Sequence, residues 1–130
     1  MSDLRNTEIR LLALVVKADP ERFRNGGDPI TLACNGVIIS GRPVPRSVFL
    51  EARQNATLKA FEDLALEAST PEEIKEDEEK GDLIENIHKL FLIDAQYYIG
   101  DKVIPSQDGT FVVVNIDSID AYHFGKLTLA

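Results

Sequence analysis

The chain has 130 residues, enough to bury one hydrophobic core but too few for two domains. Hydrophobic residues make up 44% of it, with few aromatics and no tryptophan, a globular composition that excludes collagen-like, disordered and disulfide-scaffold chains. The formal net charge of −8 is concentrated in residues 62–85, where eleven Asp or Glu stand against two Lys, and this argues against a phosphate-backbone partner, which needs clustered Lys and Arg.

Apolar side chains at 4, 9, 11, 12, 15 and 16 predict a helix over 4–18, although the β-branched "LVV" end also suits a strand. The following "DPERFRNGGDP" reads as a loop, because Asp-Pro and Asn-Gly-Gly interrupt periodic structure. "ITLACNGVIIS" then carries the strongest local signal. Asn35-Gly36 is the preferred pair for a two-residue type I′ turn, and it sets Cys34 opposite Val37 and Leu32 opposite Ile39. The prolines of "GRPVPR" end that hairpin, and Ser47 is a plausible N-cap for an amphipathic helix over roughly 48–69 that should cover the sheet.

Thr70-Pro71-Glu72-Glu73 reads as a second cap, opening a short acidic helix or turn that is expected to be exposed and mobile, since Ile74 is its one residue to bury. "IHKLFLIDAQYYIG" reads as a strand. Its alternation puts Ile87, Lys89, Phe91, Ile93, Ala95, Tyr97 and Ile99 on one face, while Leu90 and Leu92 make its first half apolar on both, as in a strand buried early and half exposed later. After a Pro- and Asp-Gly-containing hairpin loop, "TFVVVNIDSIDAYHFGKLTL" is too long for one ordinary strand. Its apolar phase changes between Ile116 and Ile119, which predicts a bulge or sharp bend at Asp117–Asp120.

Three candidate chemistries follow from residue type. Asp117, Asp120 and His123 would share one face of a helix, but the β-branched surroundings make this segment a strand, where Asp117 and Asp120 point to opposite sides; solvent-facing or turn-forming carboxylates are favoured over a metal or acid/base site. His88 and Asp94, on a neighbouring strand, have no ligand spacing. Cys34 faces inward with no basic neighbour in sequence, the setting of a small core residue rather than a nucleophile. The glycines form no phosphate loop. That leaves protein contact, for which the acidic residues Glu72, Glu73, Glu76, Asp77, Glu78 and Glu79 and the strand tyrosines Tyr97, Tyr98 and Tyr122 are the candidates.

"CNGVIISG" before a helix, "LIDAQYYIGDKVIPSQDGTF" and the terminal "IDAYHFGKL" resemble the accessory protein U family of gas vesicle clusters. Asn35, Gly36, Ile38, Ile39, Ser40 and Gly41 match its hairpin, Gly100, Asp101, Pro105 and Ser106 its loop, and Asp120, Gly125 and Lys126 its last strand, over roughly residues 28–130. Ala121 stands where that family's pattern has glycine. The resemblance implies a non-enzymatic role: binding gas vesicles, their shell proteins or other vesicle accessory proteins and promoting vesicle clustering.

The expected architecture is α+β over residues 1–130 as a single domain, with an exposed acidic segment at about 70–85. Its centre is a strongly bent antiparallel sheet of about five strands, open or curled into a small barrel, with one main amphipathic helix packed on it and an N-terminal helix. No cofactor, metal, nucleic acid or membrane partner is expected; a homo-oligomer is left open. The lone Cys34, the Met-Ser-Asp start and the lack of a roughly 20-residue apolar run point to a cytoplasmic protein, associated with vesicles if the resemblance holds. The alternative is a small-ligand or regulatory binding domain using the curved sheet surface, which a deep apolar pocket would favour.

Overall fold

In the first helix, α1 (Thr7–Ala18), Ile9 and Val16 are buried while Leu11 and Val15 face outward. It starts three residues later than the apolar pattern suggests because Asn6 takes a left-handed backbone (φ 56°), which asparagine tolerates. The Asn6 side chain instead donates to the carbonyls of Ile116 and Ile119, at 2.9 Å each. These features come from a computed structural model, which describes residues 4–127.

Strands β1 (Ile30–Cys34) and β2 (Val37–Pro43) form the expected hairpin. Asn35 and Gly36 have φ of 51° and 85°, as a type I′ turn requires, and Cys34 pairs with Val37 and Leu32 with Ile39.

The single helix expected over 48–69 is two helices, α2 (Arg46–Glu51) and α3 (Ala56–Ala68), separated by a 3₁₀ turn at Arg53–Asn55. Pro45, not Ser47, is the N-cap. The break has a polar cause that apolar periodicity does not register. Ala52 is extended (ψ 139°), and the Asn55 amide donates to the Phe49 carbonyl at 2.7 Å, taking an acceptor that a continuous helix would use. Gln54 is meanwhile drawn to the strand at 110–115, donating to Phe111 O and accepting from the Thr110 hydroxyl. Of these two, only α2 covers the sheet: Phe49 rests on Phe91 and Phe111, with ring centroids 5.0 and 6.1 Å away. α3 buries no residue.

Helix α4 (Pro71–Gly81) begins as its capping pattern predicts. The Thr70 hydroxyl accepts from the Glu73 N–H at 3.1 Å and donates to the Glu73 carboxylate, with Pro71 in the first turn.

The remaining strands are β3 (Lys89–Ile99), β4 (Lys102–Ile104), β5 (Thr110–Asn115) and β6 (Ile119–Phe124). They complete a six-stranded antiparallel sheet in the order β4-β3-β2-β1-β6, and β5 pairs with the first half of β3 on the edge that β4 occupies further along. The last of the expected terminal strand, residues 128 and 129, lies outside the described residues.

β3 is apolar on both faces in its first half, as expected, but its inward face is not the same along its length. Leu90 and Leu92 point into the core in its first half, and after a bulge at Ile93–Asp94 the inward residues become Ala95 and Tyr97. Asp94 sits at φ 52°, and the bulge switches the parity that a plain alternation would keep. Phe91 thus faces α2, opposite the core.

The phase change near Asp117 is a full corner. β5 and β6 lie at opposite edges of the sheet, yet only the 3₁₀ turn Ile116–Ser118 joins them. The sheet must therefore curl until those edges approach, although it does not close into a barrel. α1 lies over the opening, and Ile9 joins Ile30, Leu32, Leu92, Ile116 and Ile119 in the core.

Candidate functional site

Asp117, Asp120 and His123 do not converge on a common point but serve different structures. The Asp117 carboxylate accepts from the guanidinium of Arg10, a buried residue of α1, with His88 Nδ1 3.9 Å from its other oxygen. Asp120 accepts from the Asn35 N–H at 2.9 Å, holding the hairpin turn against β6, and lies 3.7 Å from Arg5. His123 is exposed, with Nδ1 3.1 Å from Phe124 O. Among the described residues no group of three or more His, Cys, Asp or Glu could hold a metal ion.

Arg10 carries no sequence signal: its charge interrupts an otherwise apolar helix and would be placed in water by default. Its side chain is 1% exposed and donates to the carbonyls of Arg5 and Ile87 as well as to Asp117. A guanidinium supplies enough donors in fixed directions to satisfy three acceptors at once. It binds α1 to the start of β3 and to the β5–β6 corner.

Cys34 is half-buried beside this corner. Burial raises the pKa of its thiol, and the Asp120 carboxylate raises it further, so the thiolate is suppressed near neutral pH. Carboxymethylation of Cys34 at pH 8 should therefore run about tenfold slower in the native chain than in urea. Asp120→Asn should recover part of that rate. A native rate equal to the unfolded one would contradict this environment.

The protein-contact candidates occupy two regions. Glu72, Glu73, Glu76, Asp77, Glu78 and Glu79 are all exposed on α4, where Glu76 pairs with Lys80 at 3.0 Å and Ile74 is the residue turned partly inward. The tyrosines divide. Tyr98 is buried and donates its hydroxyl to Leu127 O at 2.6 Å, Tyr97 packs against the core, and Tyr122 is at the surface of the edge strand β6 beside the exposed Phe124. Tyr122 is thus the one of the three that presents a surface.

Two surfaces were missed by sequence reading. Leu58, Phe61 and Leu64 of α3 are 39, 65 and 59% exposed, an apolar stripe that covers nothing. An open groove of about 600 Å³ runs between the end of α1, α2 and the start of β3, walled by Val16, Val44, Leu50 and Leu90 and rimmed by Lys17, Arg46 and Lys89. Arg46 pairs with Glu62 of α3, and Lys17 with Asp82 at the end of α4, at 3.0 Å. The stripe is bare because the chain breaks at Ala52 and α3 buries no residue.

The hairpin and loop residues singled out in the sequence have structural duties. The Ser40 hydroxyl is buried, shares a 2.6 Å bond with the Thr31 hydroxyl and accepts from the Leu127 N–H. Gly41 packs against Leu92 and Ala95, and Pro105 O accepts from the buried Gln96 amide. Gly125, at φ 111°, donates its N–H to Pro29 O at 2.7 Å. Such residues fix a fold, so a likeness built on them speaks for common architecture.

No helix among the described residues is long and apolar enough to cross a membrane. No curated protein and no solved structure matches the chain. A family model described as "Gas vesicle protein GvpU-like" matches residues 10–127, from Arg10 on α1 to the last described residue. Since that match takes in the hairpin, the acidic helix and the corner alike, the chain belongs to the GvpU-like family of gas vesicle proteins.

Proposed function

We propose that this protein is a non-enzymatic, cytoplasmic accessory protein that binds gas vesicles or their shell proteins and promotes their clustering. The family match over nearly the whole chain carries the reading and gives the coarser part of it, an accessory role related to gas vesicles. The finer part, contact and clustering, draws on α4. Glu72, Glu73, Glu76, Asp77, Glu78 and Glu79 sit on one short exposed helix and suit a basic protein surface, with Tyr122 on β6 as a second point of contact.

Floated vesicles mixed with the full chain should carry it to the surface at low salt and scatter more light as they clump. Raised salt should release it. Neutralising the six acidic residues of α4 to Gln or Asn should weaken co-flotation about tenfold while leaving the far-ultraviolet circular dichroism unchanged. Vesicles that float free of the chain at low salt would overturn the proposal.

A small-ligand or regulatory domain is the second reading, supported by the open apolar groove of about 600 Å³. Its lining is mainly apolar, with Lys17, Arg46 and Lys89 as cationic members, which suits an amphipathic occupant better than a compact polar metabolite.

A further inference from the structure

We propose that the groove between α1, α2 and β3 is filled by α3 of a second copy of this chain, so that two copies exchange α3 helices in a reciprocal dimer. Apolarity and charge lead to the same occupant. α3 has 13 residues, about 20 Å of helix, and its exposed Leu58, Phe61 and Leu64 form a stripe of the kind that docks in an apolar groove. The groove wall is Val16, Val44, Leu50 and Leu90.

Charge complementarity selects this helix. Lys17, Arg46 and Lys89 line the groove, and α3 carries Glu62, Asp63 and Glu67; Lys17 pairs with Asp82 and Asp63 with Lys59 within the chain, so Lys89 and Glu67 are the ones with no ion pair among the described residues, and the others would exchange partners on docking. Within one chain Arg46 already pairs with Glu62, so a rim cation and an α3 carboxylate are compatible partners. The Arg46–Glu62 pair sets α3 next to the groove, and a two-fold axis between copies brings each helix to the other's groove. Both unpartnered apolar surfaces are then covered by one symmetric contact.

The inference does not depend on vesicle binding, and its test uses the full chain alone. Sedimentation velocity at low salt should show a monomer–dimer equilibrium with a dissociation constant on the order of 10 µM, weakened by salt. Phe61→Ser lies on an exposed position and should weaken the dimer at least about tenfold with no loss of thermal stability of the monomer.

Charge reversal supplies the specific readout. A chain carrying Asp63→Lys and Glu67→Lys, and a second carrying Lys17→Glu and Lys89→Glu, should each be monomeric alone. Mixed, they should form a heterodimer, because reversed helix meets reversed groove and native helix meets native groove. Three results would overturn the proposal: a wild-type monomer at all concentrations, which would point to α3 closing on its own groove or to another partner; a dimer insensitive to Phe61→Ser; or no heterodimer on mixing.

Discussion

Replacing Arg10 by alanine is expected to lower folding stability by about 3 kcal/mol, read as a shift of the urea unfolding midpoint. The loss comes mainly from carbonyls. With the guanidinium gone, Ile87 O and Arg5 O lose their donor where bulk water has little access, and each orphaned acceptor costs about 1–2 kcal/mol. Asp117 matters less because its side chain is 51% exposed and can turn to solvent. Asp117→Asn should therefore cost only about 1 kcal/mol. Equal losses for the two variants would show that the ion pair holds the corner and would refute the assignment to carbonyl satisfaction.

Gly109→Ala should cost a similar amount, about 3 kcal/mol, by a steric route. A Cβ at residue 109 would stand 2.1 Å from the carbonyl carbon of Asp94 and 2.4 Å from its Cα, and neither backbone atom can yield without undoing the bulge. The Gly109 N–H also bonds the Asp94 carboxylate at 3.2 Å, so loop and bulge hold each other. Gly36→Ala provides the contrast. No atom lies within 4 Å of its Cβ, but φ is 85°, so the cost is conformational and should be about 1 kcal/mol. Thermal unfolding of both variants gives the ordering; Gly109→Ala as mild as Gly36→Ala would mean that the bulge moves freely.

How much of this could be read from the sequence depends on how far apart the interacting residues lie. Asn35-Gly36 and Thr70-Pro71-x-Glu73 determine their conformations within four residues, and both the hairpin and the α4 cap follow the expectation. The change of apolar phase at Asp117 correctly marked a bend, again because the signal is local. What could not be read is non-local. The helix break at Ala52 combines the local Asn55 bond to Phe49 O with the reach of Gln54 to Phe111 and Thr110, more than fifty residues away, and the inward face of β3 changes because Asp94 has Gly109 to lie against. Arg10 is the extreme case, a charge whose burial makes sense only once Ile87 and Asp117 are beside it. The acidic surface was legible as composition, whereas the bare stripe on α3 follows from the helix break.

The corner at Ile116–Ser118 also sets the order in which the molecule can be made. β6 pairs with β1, and the carbonyls of Ile116 and Ile119 receive the Asn6 side chain, so one of the first described residues waits for two of the last. On the ribosome the β1–β2 hairpin can form early, but its outer edge stays unpaired until residue 124 has emerged. Folding is thus dominated by distant pairings, of the slow and aggregation-exposed kind, and a chain cut short before the corner would leave β1 as a sticky template instead of a finished sheet.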